Sequence, residues 1–134
     1  MKTTVVVAGE ARGDVVALVE PLSFWGGFDA ESGLVVDEHH PQVGELLSGK
    51  IVVMSAGRGS SSSSSVIAEA ARLGTAPAAL VMREADEIIT TGAIVADELY
   101  GCPMPIVLVD EANYRLVTNA AHLVIAANGT ITAS

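Results

Sequence analysis

The chain has 134 residues, enough for one domain with a sizeable core. Half of them are apolar, 17% are charged and 4% are aromatic, which excludes a disordered chain and calls for a core of Val, Ile, Leu and Ala, as in layered α/β folds. A formal net charge of −9 argues against nucleic acid as a partner, and the single cysteine, Cys102, excludes a disulfide framework or a cysteine-ligated cluster built from this chain alone.

The opening "MKTTVVVAGEARG" holds a strand-like run at 4–8 and turns polar at once, so no signal peptide is expected. No stretch reaches the length of a membrane span, and the expectation is a cytoplasmic protein without a membrane partner. A second strand is read at 15–19, with Gly9 and Gly13 marking the turn before it. The segment 20–37, "EPLSFWGGFDAESGLVVD", combines turn residues with Phe24, Trp25 and Phe28. Aromatics in such a loop either plug the edge of the core or face a partner, and sequence does not separate the two.

A tight turn at 29–33 precedes a short strand at 34–36, and 37–50 is broken by Pro41, Gly44 and Gly49. A strand at 51–54 leads through a serine run to a helix expected from about Ser61 to Leu73, closed by Gly74. Further strands are expected at 76–82, 104–110 and 122–127. A helix is read in the second half of 87–101, a short one at 111–117, and a turn at 128–130 before a final strand. The front half suggests antiparallel pairing. The back half alternates strand and helix, which suggests right-handed crossovers and a partly parallel sheet.

The informative stretch is "GRGSSSSSSV" at 57–66. Six serines often make a flexible linker, yet these join a strand to a helix. A helix N-terminus offers unpaired N–H groups and partial positive charge, which attract carboxylates and phosphates. Gly57 and Gly59 permit a sharp bend and close approach of a ligand, and Arg58 can grip a carboxylate through two nitrogens. The simpler alternative is that Ser60 or Ser61 caps the helix and the other serines face solvent. The turn lacks the Gly-Lys-Ser/Thr of a P-loop and the Gly-x-Ser-x-Gly of a nucleophile elbow.

Other groups have plainer readings. His39 and His40, beside Asp37 and Glu38, are conceivable metal ligands, but neighbours in one loop seldom converge on one ion, and a surface turn ending at Pro41 is expected. Arg83, Glu84 and Asp86 follow a buried strand, where either a ligand contact or a solvated strand end fits. Cys102 and His122 read as structural.

From Glu20 to Val107 the chain resembles the swivel domain of the aconitase X family, through "PLSFWGG", "HP", "GRGSSS", "GTAPAA" and "GAIVADELYG". The resemblance implies a swivelling β/β/α fold, a mixed sheet with flanking helices, spanning 1–134 as one domain. It further implies the small subunit of a hydro-lyase, working with a larger subunit that carries an iron–sulfur cluster or iron, while this chain binds no metal. Related swivel domains carry Gly-x-Gly-Ser-Ser-Arg-Glu, whose first serine removes a proton next to a carboxylate. Laid on this sequence, Ser60 matches that base and Gly57 and Gly59 match the glycines. Ser61 matches a substrate-touching serine. Ser62 stands where the relatives have arginine, so the arginine's role does not carry over, and Arg58 is the candidate replacement. The substrate-binding set is Arg58, Gly59, Ser61 and Ser62.

The family implies two small carboxylate substrates, cis-3-hydroxy-L-proline, dehydrated to a pyrroline carboxylate, or phosphomevalonate. "PLSFWGG" and the scarcity of Lys and Arg favour the first. A non-catalytic module that binds a small anion and a purely structural assembly subunit are the rivals.

Overall fold

The structure, a computed structural model, describes residues 1–133. In chain order it contains β1 (Thr4–Val7), β2 (Ala11–Ala17), a short turn α1 (Phe24–Gly27), β3 (Phe28–Asp29), β4 (Leu34–Val35), β5 (Ile51–Met54), α2 (Ser63–Leu73), β6 (Ala79–Met82), α3 (Glu87–Tyr100), β7 (Ile106–Leu108), α4 (Glu111–Thr118), β8 (His122–Ile125) and β9 (Ile131–Ala133). Seven strands form one mixed sheet in the order β1-β7-β6-β5-β2-β8-β9, and β3 and β4 form a small hairpin beside it.

The runs "IVVM" of β5 and "ALVM" of β6 lie at the centre, paired in parallel with Ile51 opposite Ala79. Every side chain in both strands is sealed from solvent. Strands buried on both faces need continuous apolar runs rather than alternation, and each such large side chain stabilises the fold by about 1.5–3 kcal/mol. Successive residues serve different cores. Val52, Met54, Leu80, Met82 and Ile106 pack with Ile67, Ala70, Ile89 and Ala93 of α2 and α3. Ile51, Val53, Ala79, Val81 and Val107 point the other way, to Val117, Leu123, Ile125 and Ile131.

The second core is enclosed because the sheet curls. The N-terminal edge reaches the far hairpin, where Thr3 Oγ1 donates to the Gly129 carbonyl at 2.7 Å and the Met1 ammonium approaches the Ile131 carbonyl at 3.5 Å. The result is the mixed α/β fold with a curled sheet and flanking helices that the sequence suggests.

Several expectations change in detail. β2 begins at Ala11, so Gly13 sits inside the strand rather than in a turn before it. β1 and β2 do not pair with each other: β1 lies antiparallel to β7, while β2 is parallel to β5 and antiparallel to β8. α3 starts at Glu87, earlier than its apolar pattern suggests, because Asp86 caps it, Oδ1 accepting from the amides of Ile88 and Ile89 at 3.0 Å each. Gly74 and Gly101 close α2 and α3 in the left-handed conformation, which glycine adopts without strain.

Candidate active site

β2, β5, β6 and β7 are mutually parallel, so their C-terminal ends share one edge of the sheet, the edge where open α/β folds place ligands. The glycine–serine turn leaves β5 at this edge, Arg83 to Asp86 leave β6, and residues 18–25 leave β2.

The serines of the turn have distinct surroundings. Ser60 is half-buried; its Oγ accepts the Ser62 amide at 3.3 Å and its carbonyl accepts the Ser63 amide at 3.0 Å. Ser61 and Ser62 are exposed, with no hydrogen bond from either hydroxyl among the described residues. Ser63 is 2% exposed and accepts the Trp25 amide at 3.2 Å. Ser64 and Ser65 donate back to the carbonyls of Ser61 and Ser62 at 3.1 and 2.8 Å. Neither Ser60 nor Ser61 caps α2. Ser62 occupies the cap position in αR conformation and its side chain caps nothing. Among the described residues the amides of Ser61, Ser64 and Ser65 make no hydrogen bond. Donors and dipole are thus left facing outward at the start of α2.

The two glycines differ. A Cβ at Gly57 would overlap the Asp86 carboxylate and come within 2.8 Å of Ile89 Cδ1, so glycine there lets the turn pack against the cap of α3. A Cβ at Gly59 would meet nothing within 4 Å, and its backbone is not left-handed. No contact within the chain requires glycine at 59, and its backbone is open to close approach from outside.

Arg58 lies 3.8 Å from Glu20 in a half-exposed ion pair worth about 0–1 kcal/mol. Such a pair is weak enough for another carboxylate to replace Glu20. The Arg58 amide donates to the Leu22 carbonyl at 3.4 Å. The aromatic loop divides both ways. Phe24 and Phe28 are core, their rings edge-to-face with centroids 5.4 Å apart, while Trp25 is 58% exposed beside the serine turn.

His40 is a residue the sequence reading misplaces. Rather than part of a surface turn, it is 2% exposed. Its Nε2 bonds the Glu20 carbonyl at 3.1 Å, and its Nδ1 accepts the Gln42 amide at 3.1 Å. With both ring nitrogens engaged by backbone, neither is available to a metal. His39 is exposed, and its amide donates to Asp37 Oδ1. The "HP" step carries no signal for burial, because which of two adjacent histidines turns inward depends on the Glu20 carbonyl, twenty residues earlier in the chain.

At the β6 end, the amides of Arg83 and Glu84 both donate to the Ser55 carbonyl at 3.0 Å, and Asp86 is committed to capping. The exposed Arg83 side chain lines a cleft of about 410 Å³ with Lys2, Thr3, Thr4 and Asp110; Ser60 is not part of its lining. Burial raises the hydroxyl of nearby Tyr114 above its ordinary range, with Arg83 opposing the shift. Cys102 is exposed, its thiol directed at the Tyr100 carbonyl, and His122 meets Asp14 at 3.2 Å. Among the described residues no group of three or more His, Cys, Asp or Glu could hold a metal, and no helix is long and apolar enough to cross a membrane.

A profile of the family described as "Aconitase X swivel domain" matches residues 1–133. The chain is 48% identical over 105 residues to the cis-3-hydroxy-L-proline dehydratase of Pseudomonas aeruginosa, a match covering 78% of this chain and 18% of that protein. It is 44% identical over 100 residues to the phosphomevalonate dehydratase small subunit of Methanothermobacter thermautotrophicus, covering 75% of this chain and 73% of that one. The chain thus spans less than a fifth of the bacterial relative it matches. Among solved structures, the holo-form of Thermococcus kodakaraensis aconitase X superposes with a TM-score of 0.83 at 31% identity, covering 98% of this chain and 95% of that one.

Proposed function

The chain belongs to the aconitase X swivel-domain family, and from that premise we propose that it supplies the proton-accepting half of a hydro-lyase site whose other half lies on a larger polypeptide. Its substrate is a small hydroxy carboxylate, with cis-3-hydroxy-L-proline as our first assignment. The observation that carries this reading is the unsatisfied start of α2, where a half-buried Ser60 sits beside free amides and Arg58.

Ser60 takes the proton from the carbon bearing the carboxylate. Hydroxide leaves the adjacent carbon, the carbon–carbon double bond forms between them to give a pyrroline carboxylate, and the proton taken by Ser60 and the departing hydroxide together make up the water released. A serine hydroxyl is a weak base, so its alkoxide needs stabilisation or concerted transfer. The Ser62 N–H on Ser60 Oγ, the start of α2 and the Arg58 guanidinium all favour negative charge there. Gly59, Ser61 and Ser62 leave room and donors for the substrate carboxylate, which Arg58 grips on exchanging Glu20 for it. The reading assigns iron or an iron–sulfur cluster to the larger chain, where it would serve as a Lewis acid.

Phosphomevalonate is the competing substrate, favoured by the archaeal relative's name. Against it, the chain has only seven Lys and Arg, and, Arg58 aside, Lys50, Arg72 and Arg115 are already in ion pairs. The test combines the chain with its larger partner and measures dehydration of both compounds. Ser60→Ala should lower kcat by about 10²- to 10⁴-fold, the ordinary contribution of a positioned base, with assembly unchanged. Ser61→Ala and Ser62→Ala should act mainly on KM. Full activity in Ser60→Ala removes Ser60 as the base. Turnover of phosphomevalonate alone reassigns the substrate, and no turnover of either favours a binding module.

A further inference from the structure

Residues 20–25 run from the end of β2 across the serine corner as a strap. Three contacts join strap to corner: Glu20 with Arg58 at 3.8 Å, the Leu22 carbonyl with the Arg58 amide at 3.4 Å, and the Trp25 amide with Ser63 Oγ at 3.2 Å. A half-exposed ion pair and one long hydrogen bond would hold such a segment poorly. Yet the only two buried polar residues among those described, His40 and Ser63, each 2% exposed, bind this strap at its two ends.

Burial of a polar group is tolerated only when it is hydrogen-bonded. His40 meets that condition through the Glu20 carbonyl and the Gln42 amide, and Ser63 through Trp25. Lifting the strap would take away the only hydrogen-bond partner of the Ser63 side chain among the described residues and leave His40 Nε2 unpaired. Gln42 braces the same stretch, its carboxamide accepting the Val19 amide at 2.8 Å and donating to the Ala17 carbonyl at 2.9 Å. The inward-turned Ser63 is thus set apart from the outward serines of its own run.

We propose that His40 and Ser63 are positioning residues that pin the strap 20–25 onto the serine corner and so fix Arg58 beside Ser60. Its catalytic consequence rests on the reading of the corner as half of a dehydratase site; the pinning itself does not.

Trp25 is the only tryptophan in the chain and lies within the strap, so its fluorescence reports the strap without any assay of activity. In the isolated full chain, Ser63→Ala and His40→Asn should each raise acrylamide quenching of Trp25 and lower its anisotropy, with far-UV circular dichroism unchanged. Ser63→Thr, which keeps the hydroxyl, should restore the native values. The Trp25 amide should exchange its hydrogen about ten-fold faster in Ser63→Ala, the loss of one hydrogen bond of ordinary strength. In the assembled enzyme, kcat/KM should fall roughly ten- to a hundred-fold, mostly through KM, because Arg58 holds the substrate carboxylate. Unchanged quenching in both variants overturns the pinning. If a variant fails to fold, the wild-type chain still decides, since exchange of the Trp25 amide at the rate of a free loop would refute it. Altered fluorescence together with a wild-type pair that dehydrates neither substrate leaves the pinning standing and rejects the dehydratase reading instead.

Discussion

Helices α2 and α3 both follow parallel strands, lie side by side and begin at the same edge of the sheet, yet their first turns are built in opposite ways. α3 is stopped by its own carboxylate, with Asp86 accepting two amides, and α4 is likewise closed by Asp110, which accepts the Asn113 amide at 2.8 Å. α2 opens with residues that are among the best cap formers, and none of them caps it. Its serine side chains bond the amide before the helix, the strap, or carbonyls one turn back. A start left open while its neighbours are closed has donors to offer a ligand, and the contrast identifies the functional end of the edge more sharply than the serine count does.

The contrast can be broken by substitution. Gly57→Ala should have the largest effect, about 1–3 kcal/mol of stability, because its methyl group would push into both the capping Asp86 carboxylate and Ile89 at the start of α3. Urea denaturation with an unchanged slope and a lower midpoint would show it. Asp86→Ala should cost about 1–2 kcal/mol, the usual value of a cap. Ser62→Ala should cost less than about 0.5 kcal/mol, as for an exposed residue with no partner. Equal losses at 62 and 86 would mean that α2 is capped after all and would remove the distinction drawn between the two helices.

The alternation of strands and helices from 51 to 118 could be read directly, because strands buried on both faces are continuous apolar runs and α2 and α3 end at glycine. The start of α3 was harder, since its first turn carries an exposed Glu87 and gives little periodic signal. Pairing partners were not readable at the front of the chain. Thr4 sits opposite Leu108, and β2 is inserted between β5 and β8. A strand's own residues state which faces are apolar but not which distant strand completes its hydrogen bonds. The candidate site was legible as a place, the turn at 57–65, and much less so as an arrangement. Phe24 and Trp25 are adjacent in sequence and go to opposite destinations. His40 looked like a surface residue because its two partners come from residues 20 and 42, one of them far along the chain.

By itself, the amino-acid order determined the layered α/β class, the runs that form the central strands, and a glycine-flanked serine turn between a strand and a helix. Only tertiary structure decided that one serine of that turn faces inward to hold a strap while Ser60 to Ser62 remain at or near the surface. The reason is physical: local sequence sets backbone preference and apolar pattern, whereas the burial of a hydroxyl or an imidazole depends on whether a remote segment arrives to satisfy it.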